Sequence, residues 1–306
     1  AIIGSASVQI NVLVNTFYAT SIHDPVRGVD GPTAWLSYAF RFMQLPLGLF
    51  GVAIATATLP AIGKSASSGD MEEFRETLAR SLGLVFLLTV PSSVGLILLG
   101  PTIIGAIYEG VKFMPYDTHQ TSVALSFYAI GLAGYSAVKV LTPGFYALKD
   151  SRTPMYVSLA SIAINAAMSY TMVQVLGLGH AGLALSTSCV ALFSFLVLFW
   201  VMKVKIHGVH GRRIRSVILK VGLASIAMGI AVYASNWIFR HTLGERTLAR
   251  LADLAVTIPL GIAVLYAVSR ILHIEELNMA VRALGGPIAR RIPFLNRAQN
   301  GGPPQS

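Results

Sequence analysis

Two cations sit inside apolar stretches long enough to cross a bilayer: Arg41 in "YAFRFMQLP" and Lys139 in "YSAVKVLTPGFYALKDSRTP". On translocon-based scales a charge at the centre of a spanning helix costs about 2.5–3.5 kcal/mol, so an intramembrane cation marks a functional position by default. Helical spacing places Ser37, Tyr38, Gln44 and Gly48 on the face of Arg41. Pro46 follows, and a proline that cannot donate its backbone bond bends a helix beside that polar stripe. Lys139 repeats the layout, with Tyr135, Ser136 and Thr142 on its face and Pro143 beyond. The acidic residues fall in loops or at span ends, Asp253 being the nearest to entering a helix, so the intramembrane charge reads as wholly cationic. Such a surface suits an anion. Arginine suits phosphate in particular, because its planar fork presents paired donors and keeps its charge. The competing reading for both cations is snorkelling of a long side chain to a headgroup layer, stronger for Lys139, which lies nearer a helix end.

Two neutral stripes accompany them. Ser7, Asn11, Asn15 and Tyr18 share one face of the first apolar run, and Ser158, Ser161, Asn165 and Ser169 one face of the fifth. Serines of this kind favour hydrogen bonds between helices, whereas asparagine oxygens can also coordinate a hard cation.

The elements that must hold these residues are membrane helices. With 54% hydrophobic residues, 12% charged and a mean hydropathy of +0.67, the chain lies far from the roughly 25% charge of a soluble domain. Eight apolar runs reach spanning length, at about 4–22, 33–62, 81–108, 120–148, 154–176, 181–203, 216–239 and 250–271. None has the period-two alternation of a barrel strand. If the first run leads from inside to outside, sixteen Lys and Arg fall in inner segments and five in outer ones, which puts both ends of the chain in the cytoplasm. The net charge of +10 is scattered between apolar runs rather than gathered on one face with aromatics, which excludes nucleic acid as a partner. In "SGDMEEFRETLAR", Asp70 and Glu73 form a helix start, and Met71, Phe74 and Leu78 recur at helical spacing. This reads either as a short amphipathic helix on the inner surface or as a solvated connector. The tail becomes basic and then Gly- and Pro-rich in "NGGPPQS", a composition that favours disorder.

No soluble-enzyme motif survives inspection, and nothing calls for a cofactor. Gly63-Lys64-Ser65 lacks the earlier glycine of a phosphate loop, and there is no HExxH or cysteine cluster. Cys189 reads as a small core residue, and His207 with His210 as a solvated loop rather than a metal pair.

"YAFRFMQLPLGLFGVAIATATLP" and "KVLTPGFYALKDSRTP" resemble the MurJ/MviN family, the lipid II flippases of the multidrug/oligosaccharidyl-lipid/polysaccharide (MOP) exporter superfamily. The resemblance covers the family's seventh to fourteenth helices and leaves the first six without a counterpart. It implies a fragment, in keeping with a chain that opens at Ala1. The fold implied is an all-α integral membrane protein of about eight transmembrane helices. Residues 1–204 would form a second six-helix lobe on a central cationic cavity, 205–271 two helices bounding a lipid-tail groove, and 272–306 a basic cytoplasmic tail.

The function implied is flipping of lipid II across the bacterial inner membrane by alternating access. Arg41 would engage the pyrophosphate, assisted by Ser37, Tyr38 and Gln44, and Lys139 matches a basic position of less defined role. A sodium site found in some members maps onto Asn15, Asn165, Ser169 and Thr187, with Asn15 and Ser169 standing where aspartates would sit. The rival readings are a flippase for another polyprenyl-pyrophosphate saccharide, and a membrane scaffold that recruits cell-wall synthesis proteins.

Overall fold

The computed structural model describes residues 2–209, 211–244 and 247–281, and their regular structure is helical apart from one isolated bridge between Asp24 and Gly28. In chain order the helices are α1 (Ile2–Thr20), α2 (Asp30–Pro46), α3 (Ala53–Ser68), α4 (Met71–Tyr108) and α5 (Pro115–Ala147). They continue with α6 (Arg152–Tyr170), α7 (Gly179–Lys205), α8 (Gly211–Leu243) and α9 (Thr247–Ile271). A π-helical turn, Leu47–Val52, joins α2 to α3, and a second, Thr171–Val175, extends α6. All eight expected spans are therefore helices. Seven of them, counting α2 to α3 as one and α6 with its π turn, are long and apolar enough to cross a membrane among the described residues.

The amphipathic segment at 70–80 is neither a separate surface helix nor a connector. Met71–Tyr108 is one helix of 38 residues. Asp70 accepts a hydrogen bond from the Glu73 N–H at 2.9 Å, which caps the helix start as its sequence predicts. Phe74 and Leu78 are fully buried against α5 and α7, so the first turns pack into the protein rather than onto lipid. Charged residues at 72–80 lower local hydropathy without interrupting the backbone ladder. Hydropathy marks where a helix meets lipid, not where it begins.

Helix α5 is the centre of the bundle. Its apolar residues contribute to two clusters: Leu125, Tyr128 and Leu132 meet α2 and α7 in one, while Val140, Leu141 and Phe145 meet α3, α4 and α7 in the other. Its contact with α7 depends on Gly131, where an added Cβ would fall 2.7 Å from the Ser188 Cα. That close approach lets the Ser188 hydroxyl donate to the Phe127 carbonyl at 2.6 Å.

Helices α8 and α9 lie against each other and against α4. After α9 the chain folds back, burying Ile274, Leu277 and Ala280 on Leu87, Val217 and Val221. The start of the expected tail is thus packed structure, and the rest of it lies outside the described residues.

Candidate functional site

Helix α2 buries one face and exposes the other. Trp35, Leu36, Ala39, Phe42 and Met43 point into the bundle, whereas Ser37, Arg41, Gln44 and Gly48 are exposed. The stripe expected around Arg41 is therefore one continuous face. The Tyr38 ring lies 5.7 Å from the guanidinium carbon of Arg41 and packs in turn on Tyr108 and Phe113, at 4.7 and 5.6 Å between ring centres. Ser37 returns its hydroxyl to the Thr33 carbonyl at 2.8 Å. Among the described residues Arg41 has no carboxylate partner. A cation–π contact restricts the guanidinium without using its hydrogen-bond donors.

Pro46 ends α2, and the π turn begins at the next residue. Lacking an N–H, Pro46 cannot close the ladder onto the Phe42 carbonyl, and a wide turn accommodates the break. The turn rests on α5 at Gly51, whose added Cβ would stand 3.0 Å from the Ser136 hydroxyl. That hydroxyl is buried without a partner.

One turn farther along α5, Lys139 is exposed and, among the described residues, also lacks a carboxylate partner. The parallel between the two sites is incomplete. Pro143 lies within an unbroken α5, and Tyr135 donates to the Thr187 carbonyl at 3.2 Å, in the contact with α7 rather than beside Lys139.

Three of the four residues mapped to a sodium site do come together. The Asn15 amide donates to the Thr187 hydroxyl at 3.0 Å, and the Asn165 amide donates to the Asn15 oxygen at 3.1 Å. The fourth, Ser169, pairs with Ser186 at 3.0 Å instead. Ser161 similarly pairs with Ser194 at 2.7 Å, so the serine stripe of α6 ties it to α7. The side chain of Ser7 lies outside the described residues.

This donor set does not fit sodium. Among the described residues no carboxylate takes part, the Asn15 oxygen accepts from Asn165, and the buried oxygen of Asn165 accepts from no group. Open acceptors in a neutral setting call for a donor such as water. Among the described residues no His, Cys, Asp and Glu cluster could hold a metal, and His210 lies outside them.

Two acidic sites escaped the sequence reading. Asp253 is not at a span end but within α9, 2% exposed, accepting from the Thr257 hydroxyl at 2.6 Å and from the Asn236 amide. Asn236 also donates to Thr102 at 2.9 Å, so a buried polar network joins α4, α8 and α9. At the start of α5, Asp117 accepts from the Trp35 indole at 3.0 Å, the Met114 N–H at 2.8 Å and the Arg27 guanidinium.

Comparisons with known proteins agree with this architecture. The sequence profile described as lipid II flippase MurJ matches residues 1–251. The probable lipid II flippase MurJ of Rickettsia prowazekii is 30% identical over 284 residues, covering 92% of this chain and 54% of that protein. Its counterpart in Bdellovibrio bacteriovorus is 29% identical over 282 residues, covering 92% and 52%. Among solved structures, a lipid II flippase MurJ in an inward closed conformation superposes with a TM-score of 0.69 at 26% identity, over 88% of this chain and 52% of that one. An outward-facing multidrug resistance MATE family transporter of the MOP superfamily gives 0.56 at 16% identity over 91% and 64%, a likeness of fold alone. The chain spans about half the length of the curated relatives it matches. It is a multi-pass protein of the bacterial inner membrane, and it belongs to the MurJ family.

Proposed function

We propose that this chain forms one lobe and the adjoining helix pair of a flippase that moves lipid II from the cytoplasmic to the periplasmic leaflet, with both ends of the chain in the cytoplasm. The observation that carries the reading is Arg41, exposed on the polar face of α2 and, among the described residues, without a carboxylate partner. A guanidinium so placed has its paired donors free for a pyrophosphate, and Tyr38 limits the orientations it must give up on binding. Gln44 and Ser37 lie on the same face for the oxygens around it, and Lys139 on α5 adds a second positive charge. Residues 1–204 would form the lobe. Helices α8 and α9, within 205–271, would bound the groove for the lipid tail, with exposed apolar residues of α9 such as Ile258 and Ile262 along it.

Alternating access follows from differential binding. A ligand shifts a two-state transporter only as far as it binds one state more tightly. Unpaired cations on the cavity wall repel one another when the wall closes, and a bridging anion relieves that repulsion.

The test is complementation of cells depleted of their own lipid II flippase, with Arg41 changed in the full-length gene. Arg41→Ala should abolish growth and lipid II translocation, and Arg41→Lys should retain part of both. Full translocation by Arg41→Ala at normal protein levels overturns the assignment.

A further inference from the structure

We infer that the cavity between the start of α8 and the turn after α9 binds the headgroup of a phospholipid bearing both a phosphodiester and a primary ammonium. The cavity holds about 200 Å³, room for roughly seven water-sized groups at about 30 Å³ each. Its polar wall consists of Arg213, Ser216 and Lys220 from α8 and His273, Glu275 and Glu276 from the turn. Val217 and Ile274, both buried, close its floor.

The charges around this space cancel. Arg213 reaches Glu275 at 2.7 Å, the buried Glu276 at 3.4 Å and Glu76 at 3.9 Å, and Glu76 also pairs with Arg80. With Lys220 the cluster has, among the described residues, three cations and three carboxylates, so their charges alone favour neither a simple anion nor a simple cation. Its bonding capacity is nonetheless unspent at two places on opposite walls. Among the described residues Lys220 makes only a long bond of 3.4 Å to the His273 carbonyl, although an ammonium has three donors. Glu275 engages Arg213 through Oε2 while its side chain remains 77% exposed. A phosphate beside Lys220 and Ser216 and an ammonium beside Glu275 would use both.

A lipid is indicated rather than a soluble zwitterion. Leu219, Leu223, Ile226 and Ile230 are exposed along α8 at alternating four- and three-residue spacing, a single apolar stripe that starts beside Lys220. An acyl chain can follow that stripe with its headgroup in the cavity. Basic pockets between helices at a membrane surface hold anionic headgroups; the carboxylates here select one that also carries positive charge.

The experiment is native mass spectrometry of the purified protein in mild detergent, titrated with phosphatidylethanolamine, phosphatidylglycerol and phosphatidylcholine of matched acyl chains. Phosphatidylethanolamine should be retained in preference to both others, since choline cannot donate a hydrogen bond and glycerol carries no cation. Lys220→Ala and Glu275→Gln should each weaken that retention about tenfold, the loss of one hydrogen bond to a charged group, with unchanged melting temperature in the lipid-free state. Equal retention of the three lipids, or insensitivity to both substitutions, overturns the inference. Preference for phosphatidylglycerol that survives Glu275→Gln overturns it in favour of an anionic lipid.

Discussion

At the scale of single residues, the contrast between Arg41 and Asp117 separates function from stability. Asp117 is enclosed by donors from three segments, so removing its charge should cost stability without touching the Arg41 face. Asp117→Asn turns an acceptor-only group into one that must present an amide to existing donors, at about 1.5–3 kcal/mol. Denaturation in micelles should register that loss with lipid II binding unchanged. At the opposite end of the bundle Asp150 accepts from Lys205 at 2.7 Å and from the Thr153 N–H and hydroxyl. Burial raises its carboxyl, but the bonds from Lys205 and Thr153 prevail and bring it down to about 2 from an ordinary 3.8. A depressed folded value means stability that is complete above about pH 4 and is lost as pH falls from there toward 2. The melting temperature should decline in that window, and less steeply in Asp150→Asn. Arg41 was legible in the sequence because a cation in an apolar run is conspicuous on its own. Asp253 was not, since a carboxylate near the end of a hydrophobic run reads as its boundary, and its partner Asn236 contacts Thr102, 134 residues away in the chain.

At the scale of elements, apolar length located α1 to α9 and misjudged what happens between and within them. Two prolines in similar sequence settings behave differently: Pro46 leads into a π turn, whereas Pro143 sits in continuous helix. The difference is tertiary. The turn after Pro46 meets α5 at Gly51 and Ser136, and that contact offers a fixed surface for a widened backbone. Restoring the missing donor with Pro46→Ala should let α2 and α3 approach a regular helix. Spin labels placed on α2 and α3 should report a changed distance, and translocation should fall because the Arg41 face is re-aimed. Helix α5 makes a second demand, at Gly131. Gly131→Leu forces α7 away from the 2.7 Å approach and should destabilise the bundle by about 1–3 kcal/mol, seen as lower yield of folded protein.

At the scale of the whole molecule, α9 is fastened to the rest by a buried polar network. Asp253→Ala leaves one N–H of the Asn236 amide short of an acceptor and should loosen α9 by about 1–2 kcal/mol. Hydrogen exchange should then rise across 247–271 while α5 stays protected, and uniform protection would refute the fastening. The sequence made the division into membrane helices readable, because hydropathy is a local property. It left the attachments unread, because they arise from pairs such as Arg213 with Glu276 or Asn236 with Thr102 that only the folded chain brings together. The widened turn at Leu47–Val52 also bears on how such a chain can vary in length. A wide turn holds a surplus residue relative to a regular helix, and each residue of a helix advances the face by about 100°. Losing one residue there would let the turn close into regular helix with the faces beyond it kept, whereas a residue gained or lost within α3 would turn the buried Ile54 and Thr58 away from their packing partners. A single-residue deletion should therefore be tolerated in this turn and rejected within α3, which makes six inconspicuous apolar residues a place where the joined α2 and α3 can change length without changing the faces they present.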